Sequence, residues 1–580
     1  PAAGTLPEWR DALVGARTAN LLPGVWSSRM PLKLRNRAVE QLLTAWAEPW
    51  AALGRALGLD DERPAIDRAW RALLQNQAHD SIGGCSIDPV HERMTARYDD
   101  AEGLGRATVT RVLERLSGRN RTRATPWRDG QDVVVFNASA ERRTDVVRVS
   151  LDPFPPWRTS IDRFDMHPLA MPSFGGLAVD GSPVRVVASD DPTRVRFLAG
   201  VGGLDAEFVA RDVPAFGCRR YSVVPADPAP DEVDNGREIE AGDIRVRADD
   251  AGTLSCTVGG RVYDGLFGLE DCIDRGDSYD ADPDPPRAMS ATTEVRRTRH
   301  ACGISRLRVT RTIAAIGTLA VEAMVAPGVP FVRCEVTLDN RAQDHRLRLR
   351  FPTGAPIDEV RAATTFDTTR RTTGALDDAL WVHRAPRTFV HQGWIAANGL
   401  TVGAPGLPEA EIDPTGEILV TLVRSVGALA RLELRTRPVP AGPEMPAPGA
   451  QVQGILRATV TLAATPSDVR AAETGMWGVL GDDAPLLRDG VSLLEVEAVA
   501  SVLSACKPAA DGDGIVVRLL NTSDEPDDVV VRFGLDVADV TAVRLDETPE
   551  GNHVGHEGRT VALTVPPHAL RSVRVHTLRR

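Results

Sequence analysis

A chain of 580 residues is too long for one hydrophobic core, so three or four domains are expected. Apolar residues make up 42% and charged residues 26%, and the net charge of −12 comes from acidic and basic residues mixed throughout. That mixture excludes a nucleic-acid surface, which needs a basic stripe, and no run of about 18 apolar residues exists to cross a membrane.

Residues 1–30 show no clear period and no basic segment followed by an apolar core, so no signal peptide is predicted. From Pro31 the spacing predicts a helix with Val39, Leu42, Leu43, Trp46 and Trp50 on one face, ending near Gly54 and Gly58. A second helix is predicted from about Glu62 to Gln77, with Ile66, Ala69, Trp70, Leu73 and Leu74 as its buried stripe. A third starts with Asp88 as N-cap and Pro89 at the first helical position, and runs to about Ser117. Short connections fold the three into an antiparallel bundle over residues 31–120, with Trp26, Trp46, Trp50 and Trp70 read as core. From Asp132 onward, short apolar or alternating runs are punctuated by Gly, Pro, Asp and Asn. That pattern predicts antiparallel β-sandwiches: a large region over 121–480, with Pro225–Asp234 as a connection, and a terminal sandwich over 481–580. The class is therefore multidomain α+β. Arginine greatly outnumbers lysine, which reads as genome composition. The seven cysteines are scattered and form no Cys-x-x-Cys pair, which predicts reduced thiols and a cytoplasmic protein.

The chemistry concentrates at Leu73-Leu74-Gln75-Asn76-Gln77-Ala78-His79-Asp80-Ser81-Ile82-Gly83-Gly84. The helical stripe stops at Gln75, so His79 and Asp80 sit where a helix ends, in a turn that two glycines can bend. Neutral imidazole is a common metal ligand, and an adjacent carboxylate can hold its ring or grip a substrate hydroxyl. Alternatively, His79 is a C-terminal helix residue favoured by the helix dipole. His91-Glu92-Arg93-Met94-Thr95 begins like a zinc-protease motif but lacks a second histidine, so His91 is expected on the exposed face of the third helix. His553 and His556 read as surface histidines of a hairpin loop. Tyr279 lies among Asp, Gly and Pro residues, which predicts an exposed loop with the ring packed on its own turn. Arg424 closes an apolar strand, where a charge needs a partner, and a structural ion pair accounts for it.

The segment from Leu73 to Gly84, followed by Cys85-Ser86-Ile87-Asp88, resembles the middle segment of the alpha-mannosidases of glycoside hydrolase family 38. The closer likeness is to the bacterial branch that includes mannosylglycerate hydrolases. Pro7-Glu8-Trp9-Arg10 and Val25-Trp26-Ser27-Ser28-Arg29 resemble the last strand and exit segment of that family's catalytic barrel, making residues 1–30 the barrel's tail. Val135-Phe136-Asn137-Ala138-Ser139 resembles the strand opening its C-terminal domain. Leu422 to Gly427, followed by Arg437-Pro438, resembles a core block, and Asp274 to Tyr279 resembles the segment whose tyrosine approaches the sugar.

The resemblance implies a zinc-dependent, retaining alpha-mannosidase acting on an alpha-mannoside. It implies that His79 is one of four zinc ligands, that Asp80 and Tyr279 contact the mannosyl ring, and that Arg424 reaches toward the sugar from the β region. In the family the other ligands, a His-x-Asp pair and a second aspartate that is also the nucleophile, lie in an N-terminal catalytic barrel. No His-x-Asp pair occurs in this sequence. The expectation is therefore that the barrel is absent from this chain, that it is the chain's own partner, and that the chain alone is inactive. Trp381 and Trp394 could stack on sugars, although burial is the simpler reading. Homo-oligomerisation stays open. The alternative function is a non-catalytic carbohydrate-binding or scaffold protein built of β-sandwiches.

Overall fold

The computed structural model describes residues 18–119, 132–151, 176–188, 204–372, 378–383, 385–437, 439–482 and 484–578. Pro7–Arg10 and Pro438, which carry part of the family likeness, lie outside the described residues.

The apolar stripe that starts at Val39 is a continuous rod in three pieces. Helix α1 (Met30–Gln41) runs through a π-helical stretch, Leu42–Ala47, into α2 (Glu48–Ala56). Gly54 lies inside α2 rather than at its end. A Cβ there would sit 3.0 Å from Val112 Cγ1, so glycine lets two helices approach closely, and Gly58 (φ +91°) ends the rod. Helix α3 (Arg63–Gln75) is followed by a single turn, α4 (His79–Gly83), and the 29-residue α5 (Asp88–Leu116). Leu43, Trp46, Trp50, Ile66, Ala69, Leu73, Met94, Tyr98, Val109, Val112, Leu113 and Leu116 interlock as the bundle core. Burying each large apolar side chain is worth roughly 1.5–3 kcal/mol, so packing dominates helix propensity here. Trp26 and Trp70 are only half-buried.

Two expectations fail at the start of α5. Ile87, not Asp88, is the N-cap, because the Asp88 carboxylate is drawn to the Arg29 guanidinium and accepts the Gly449 N–H at 3.0 Å. His91 is buried, not on an exposed face. Its Nε2 lies 3.1 Å from Ser86 O and its Nδ1 faces Met94 Sδ, because the loop before α5 folds back over the first turn. His553 and His556 occupy two short strands, Pro549–His553 and His556–Glu557, and neither is buried.

Every pairing between the described strands is antiparallel. A seven-stranded sheet opens with Asp132–Asn137 and closes with Met476–Leu480 on the neighbouring edge. A ten-stranded sheet centred on Phe331–Asn340 and Gly454–Ala463 packs over a five-stranded and a four-stranded sheet to enclose the largest core. Trp394 belongs to a smaller buried cluster beside it, and Trp381 is half-buried. The acidic stretch expected as a pure connection ends in a strand, Glu232–Asp234, on the ten-stranded sheet's edge. Residues from Leu494 to Thr577 form a second sandwich of four and five strands.

The five-stranded sheet positions the candidate site. Its strand Glu417–Ser425 pairs with His345–Pro352 in a register that sets Arg424 opposite Arg346. An isolated bridge joins Ser28 to Arg424, so the entry to the bundle is stitched directly to this strand.

Candidate functional site

Helix α3 ends where its apolar stripe ends. Asn76 then buries its amide against Met94 O at 3.0 Å, and α4 begins afresh at His79. His79 is therefore at the start of a new turn, not at the end of the preceding helix. Gly84 closes α4 in the left-handed region (φ +78°), and a Cβ there would also lie 2.9 Å from Ser28 O, so both torsion and space demand glycine. The turn is pinned from below. Ser28 Oγ donates to Gly84 O at 3.0 Å, Arg29 Nε to the same oxygen at 3.3 Å, and Lys33 Nζ to Ser28 O at 2.6 Å and Ile82 O at 3.0 Å.

The His79 side chain is 95% exposed and the Asp80 side chain 54%, and His79 Nε2 stands 3.5 Å from Asp80 Oδ1. Among the described residues the ring makes no hydrogen bond, and the Asp80 carboxylate is the one ionisable group paired with it. Cys85, at the base of the turn, is buried, and burial above all, with Asp80 adding to it, pushes its thiol up to about 12. Burial likewise pushes the Lys33 amine down to about 7.

Tyr279 arrives from the large β region. Its hydroxyl donates to Cys85 O at 3.3 Å across 194 residues of sequence, which sets it beside the α4 turn. Burial above all raises the phenol's pKa, and the negative charge of Asp80 adds to that. Its loop is not exposed: Asp274, Asp277, Ser278, Asp280 and Asp282 are all buried. The reason is internal satisfaction of the carboxylates. Asp274 Oδ1 accepts the Gly276 and Asp282 N–H groups, each at 2.8 Å, and Asp277 Oδ1 accepts those of Tyr279 at 3.0 Å and Asp280 at 2.9 Å. Arg437 Nη2 donates to Asp277 Oδ2 at 2.5 Å. Burial raises the Asp280 carboxyl's pKa, against the opposing pull of His383 Nε2 at 3.0 Å.

Arg424, expected to reach toward a sugar, is fully buried in this chain. It donates through Nη1 and Nη2 to Asp277 O at 2.8 and 2.5 Å and through Nε to Ser27 Oγ at 3.3 Å, with Asp274 Oδ2 3.5 Å away. It therefore holds the Tyr279 loop and the entry to the bundle together. Gly24 N–H completes that join by donating to Tyr279 O at 2.9 Å, and a Cβ on Gly24 would lie 2.5 Å from Arg424 Nη2. The structure thus sets the Tyr279 hydroxyl against Cys85, just past the turn that exposes His79 and Asp80, with Arg424 holding the Tyr279 loop.

Among the described residues, no three His, Cys, Asp or Glu side chains are grouped to hold a metal. Two residues escaped sequence reasoning. Arg437 stood within a quoted block, and a buried arginine must have a partner such as Asp277. Lys33 carried a plainer signal: it and Lys507 are the only lysines in the sequence.

Comparison with known proteins finds likeness at the level of domains and fold. Residues 20–116 match the alpha mannosidase middle domain, and residues 500–573 match the glycosyl hydrolases family 38 C-terminal beta sandwich domain. Two segments of the chain are thus similar to domains of alpha-mannosidases and of glycosyl hydrolases family 38. These domains do not stand alone in the likeness: a putative mannosylglycerate hydrolase of Halalkalibacterium halodurans is 23% identical over 584 residues, 87% of this chain and 62% of that protein. The chain thus spans less than two thirds of that relative's length. An alpha-mannosidase from Enterococcus faecalis V583 superposes with a TM-score of 0.76 at 20% identity, covering 97% of this chain and 69% of that one. A family 38 protein from Enterococcus faecalis gives the same TM-score and identity over 96% and 71%. The chain therefore shares the fold of these two solved structures, and no helix among the described residues is long and apolar enough to cross a membrane.

Proposed function

We propose that this chain builds one wall of a zinc-dependent, retaining alpha-mannosidase site that cleaves terminal alpha-mannosyl linkages. Asp80 and Tyr279 contact the mannosyl ring, His79 supplies one zinc ligand, and Arg424 supports the Tyr279 loop from beneath. The reading rests on one observation: the hydroxyl of Tyr279 meets Cys85 O, just past the turn that exposes His79 and Asp80, across 194 residues of sequence. An imidazole 95% exposed suits one position of a zinc shell, but a catalytic zinc takes three protein ligands. The chain can therefore hold zinc only jointly with a further domain of the same protein, the catalytic barrel. When bound, zinc grips sugar hydroxyls and favours ring distortion toward the oxocarbenium-like state.

Retention requires a nucleophile and an acid/base carboxylate about 5–5.5 Å apart across the sugar. We assign neither to Asp80, which faces His79 and is better placed to orient the ring or grip a hydroxyl. The barrel supplies the nucleophile. The chain alone is then inactive. Purified residues 1–580 should not hydrolyse an aryl alpha-mannoside, and hydrolysis by that chain without any other would falsify the proposal. In the longer protein that completes the zinc shell, His79→Ala should abolish zinc occupancy and activity together. Activity retained without zinc would remove His79 from the site.

A further inference from the structure

Lys33 is the feature that the fold and the proposed chemistry leave unexplained. In a chain with 68 Lys and Arg residues only Lys33 and Lys507 are lysines, so almost every cationic position has been filled by arginine. Lys507 has an ordinary task, an ion pair with Glu547 at 2.6 Å. Lys33 has no carboxylate within ion-pair distance among the described residues, although it is 7% exposed. A buried amino group without a counter-charge is expensive, and it persists where its hydrogen bonds are otherwise irreplaceable. Its acceptors are three backbone carbonyls that converge on one point: Ser28 O at 2.6 Å, Ile82 O at 3.0 Å and Gly83 O at 3.4 Å.

Two of those oxygens are at the C-terminal end of the turn that begins with His79. That turn is five residues long and has no side-chain cap at its start, so it cannot hold its own shape. The third oxygen belongs to Ser28, whose Oγ binds Gly84 O at 3.0 Å and whose backbone bridges to Arg424. One amino group therefore fastens the turn to the segment that Arg424 joins to the Tyr279 loop. The geometry also explains the residue type. A tetrahedral amino group aims its hydrogens at three oxygens around a point, whereas a guanidinium is a flat fork suited to a carboxylate.

We infer that Lys33 is a positioning residue, which fixes the His79–Asp80 turn relative to Tyr279. The inference rests on the reading of that turn as part of a sugar site, but its test uses neither substrate nor metal. Lys33→Met keeps the buried stem and removes the donors, and Lys33→Arg keeps the charge but not the tetrahedral head. In the full 580-residue chain, each should raise amide exchange over residues 79–86 by tenfold or more. Exchange in residues 98–116 and 417–425 should stay at the wild-type rate. Alkylation of Cys85 should accelerate by a similar factor, while buried Cys334 and Cys506 do not change; a loss of general stability would expose all three.

Should either variant fail to fold, Ser28→Ala removes one bond of the same clamp and should give the same local pattern at smaller amplitude. Wild-type exchange over 79–86 in Lys33→Met or Lys33→Arg overturns the assignment. So does an increase spread evenly over the bundle. Neither result touches the glycosidase reading, which stands or falls on the mannoside assay.

Discussion

Arg437 and Asp277 show how a loop can bury four aspartates. Neither side chain has more than 1% of its surface exposed, and the Asp277 carboxylate takes four donors: the N–H groups of Tyr279, Asp280 and Arg431, and the Arg437 guanidinium. Replacing a buried pair by matched apolar groups can be neutral, but removing one partner leaves an uncompensated charge and costs about 3–5 kcal/mol. Arg437→Met should therefore release the Tyr279 loop before anything else unfolds. Amide exchange over residues 275–283 is the measurement, and protection unchanged from wild type would show that backbone donors alone hold Asp277. Combining Arg437→Met with Asp277→Leu should cost less than the two single changes together, since the orphaned charge is gone. The Arg424 guanidinium spends its hydrogen bonds on a carbonyl and a hydroxyl, but it also stands 3.5 Å from the buried Asp274 Oδ2, so its loss would loosen the join and leave that carboxylate without its cation.

At the scale of elements, the start of α5 carries a pH dependence. Burial, with Arg29 nearby, pushes the His91 imidazole down to about 4 from an ordinary 6.5. Above pH 6.5 the ring is neutral in both folded and unfolded chains and has no effect. As pH falls below that, only the unfolded chain binds the proton, so stability is lost between pH 6.5 and about 4, up to roughly 3 kcal/mol. Protection factors over residues 86–95, corrected for the intrinsic exchange rate, should fall more steeply between pH 7 and 5 in wild type than in His91→Asn, and identical slopes would show that the ring is not the titrating group. The same element marks where sequence reading ends. The apolar stripes of the rod, α3 and α5 were plain because 3.6-residue periodicity is a local property. The N-cap of α5 and the burial of His91 were not, because Arg29 and the 84–87 loop compete for those groups from elsewhere. His79, Asp80 and Tyr279 could be picked out as residues, but the depth of the Tyr279 loop could not. A run of Asp, Gly and Pro reads as exposed unless one knows that Arg424 and Arg437 arrive at Asp277 from 147 and 160 residues away.

The whole molecule shares its largest helical core between regions that the sequence separates cleanly. Trp50 packs edge-on against Phe136 of the seven-stranded sheet with ring centroids 5.1 Å apart, and α2 lies against the strand Ser501–Pro508 of the terminal sandwich. Leu53 and Leu113 of the bundle belong to one apolar cluster with Leu494, Cys506, Val517 and Val575. The Trp46 indole N–H reaches Thr474 O at 3.0 Å, and Arg37 pairs with Glu473, so helix α6 (Pro466–Thr474) ties the same rod to the large β region. A bundle sealed this way should not fold alone, and the terminal sandwich should not be removable. Ending the chain at residue 481 would strip the cover from α2, uncovering several large side chains at roughly 1.5–3 kcal/mol each. That sum matches or exceeds the 5–15 kcal/mol by which a domain is ordinarily stable. The truncated chain should therefore lack a cooperative thermal transition and expose Cys218, which leans on Leu487 and Arg488 of the removed segment. A soluble 1–481 chain with a sharp transition and an unreactive Cys218 would mean that the bundle's core closes without the sandwich. The wall carrying His79 would then owe its rigidity to α6 and the Arg424 join alone.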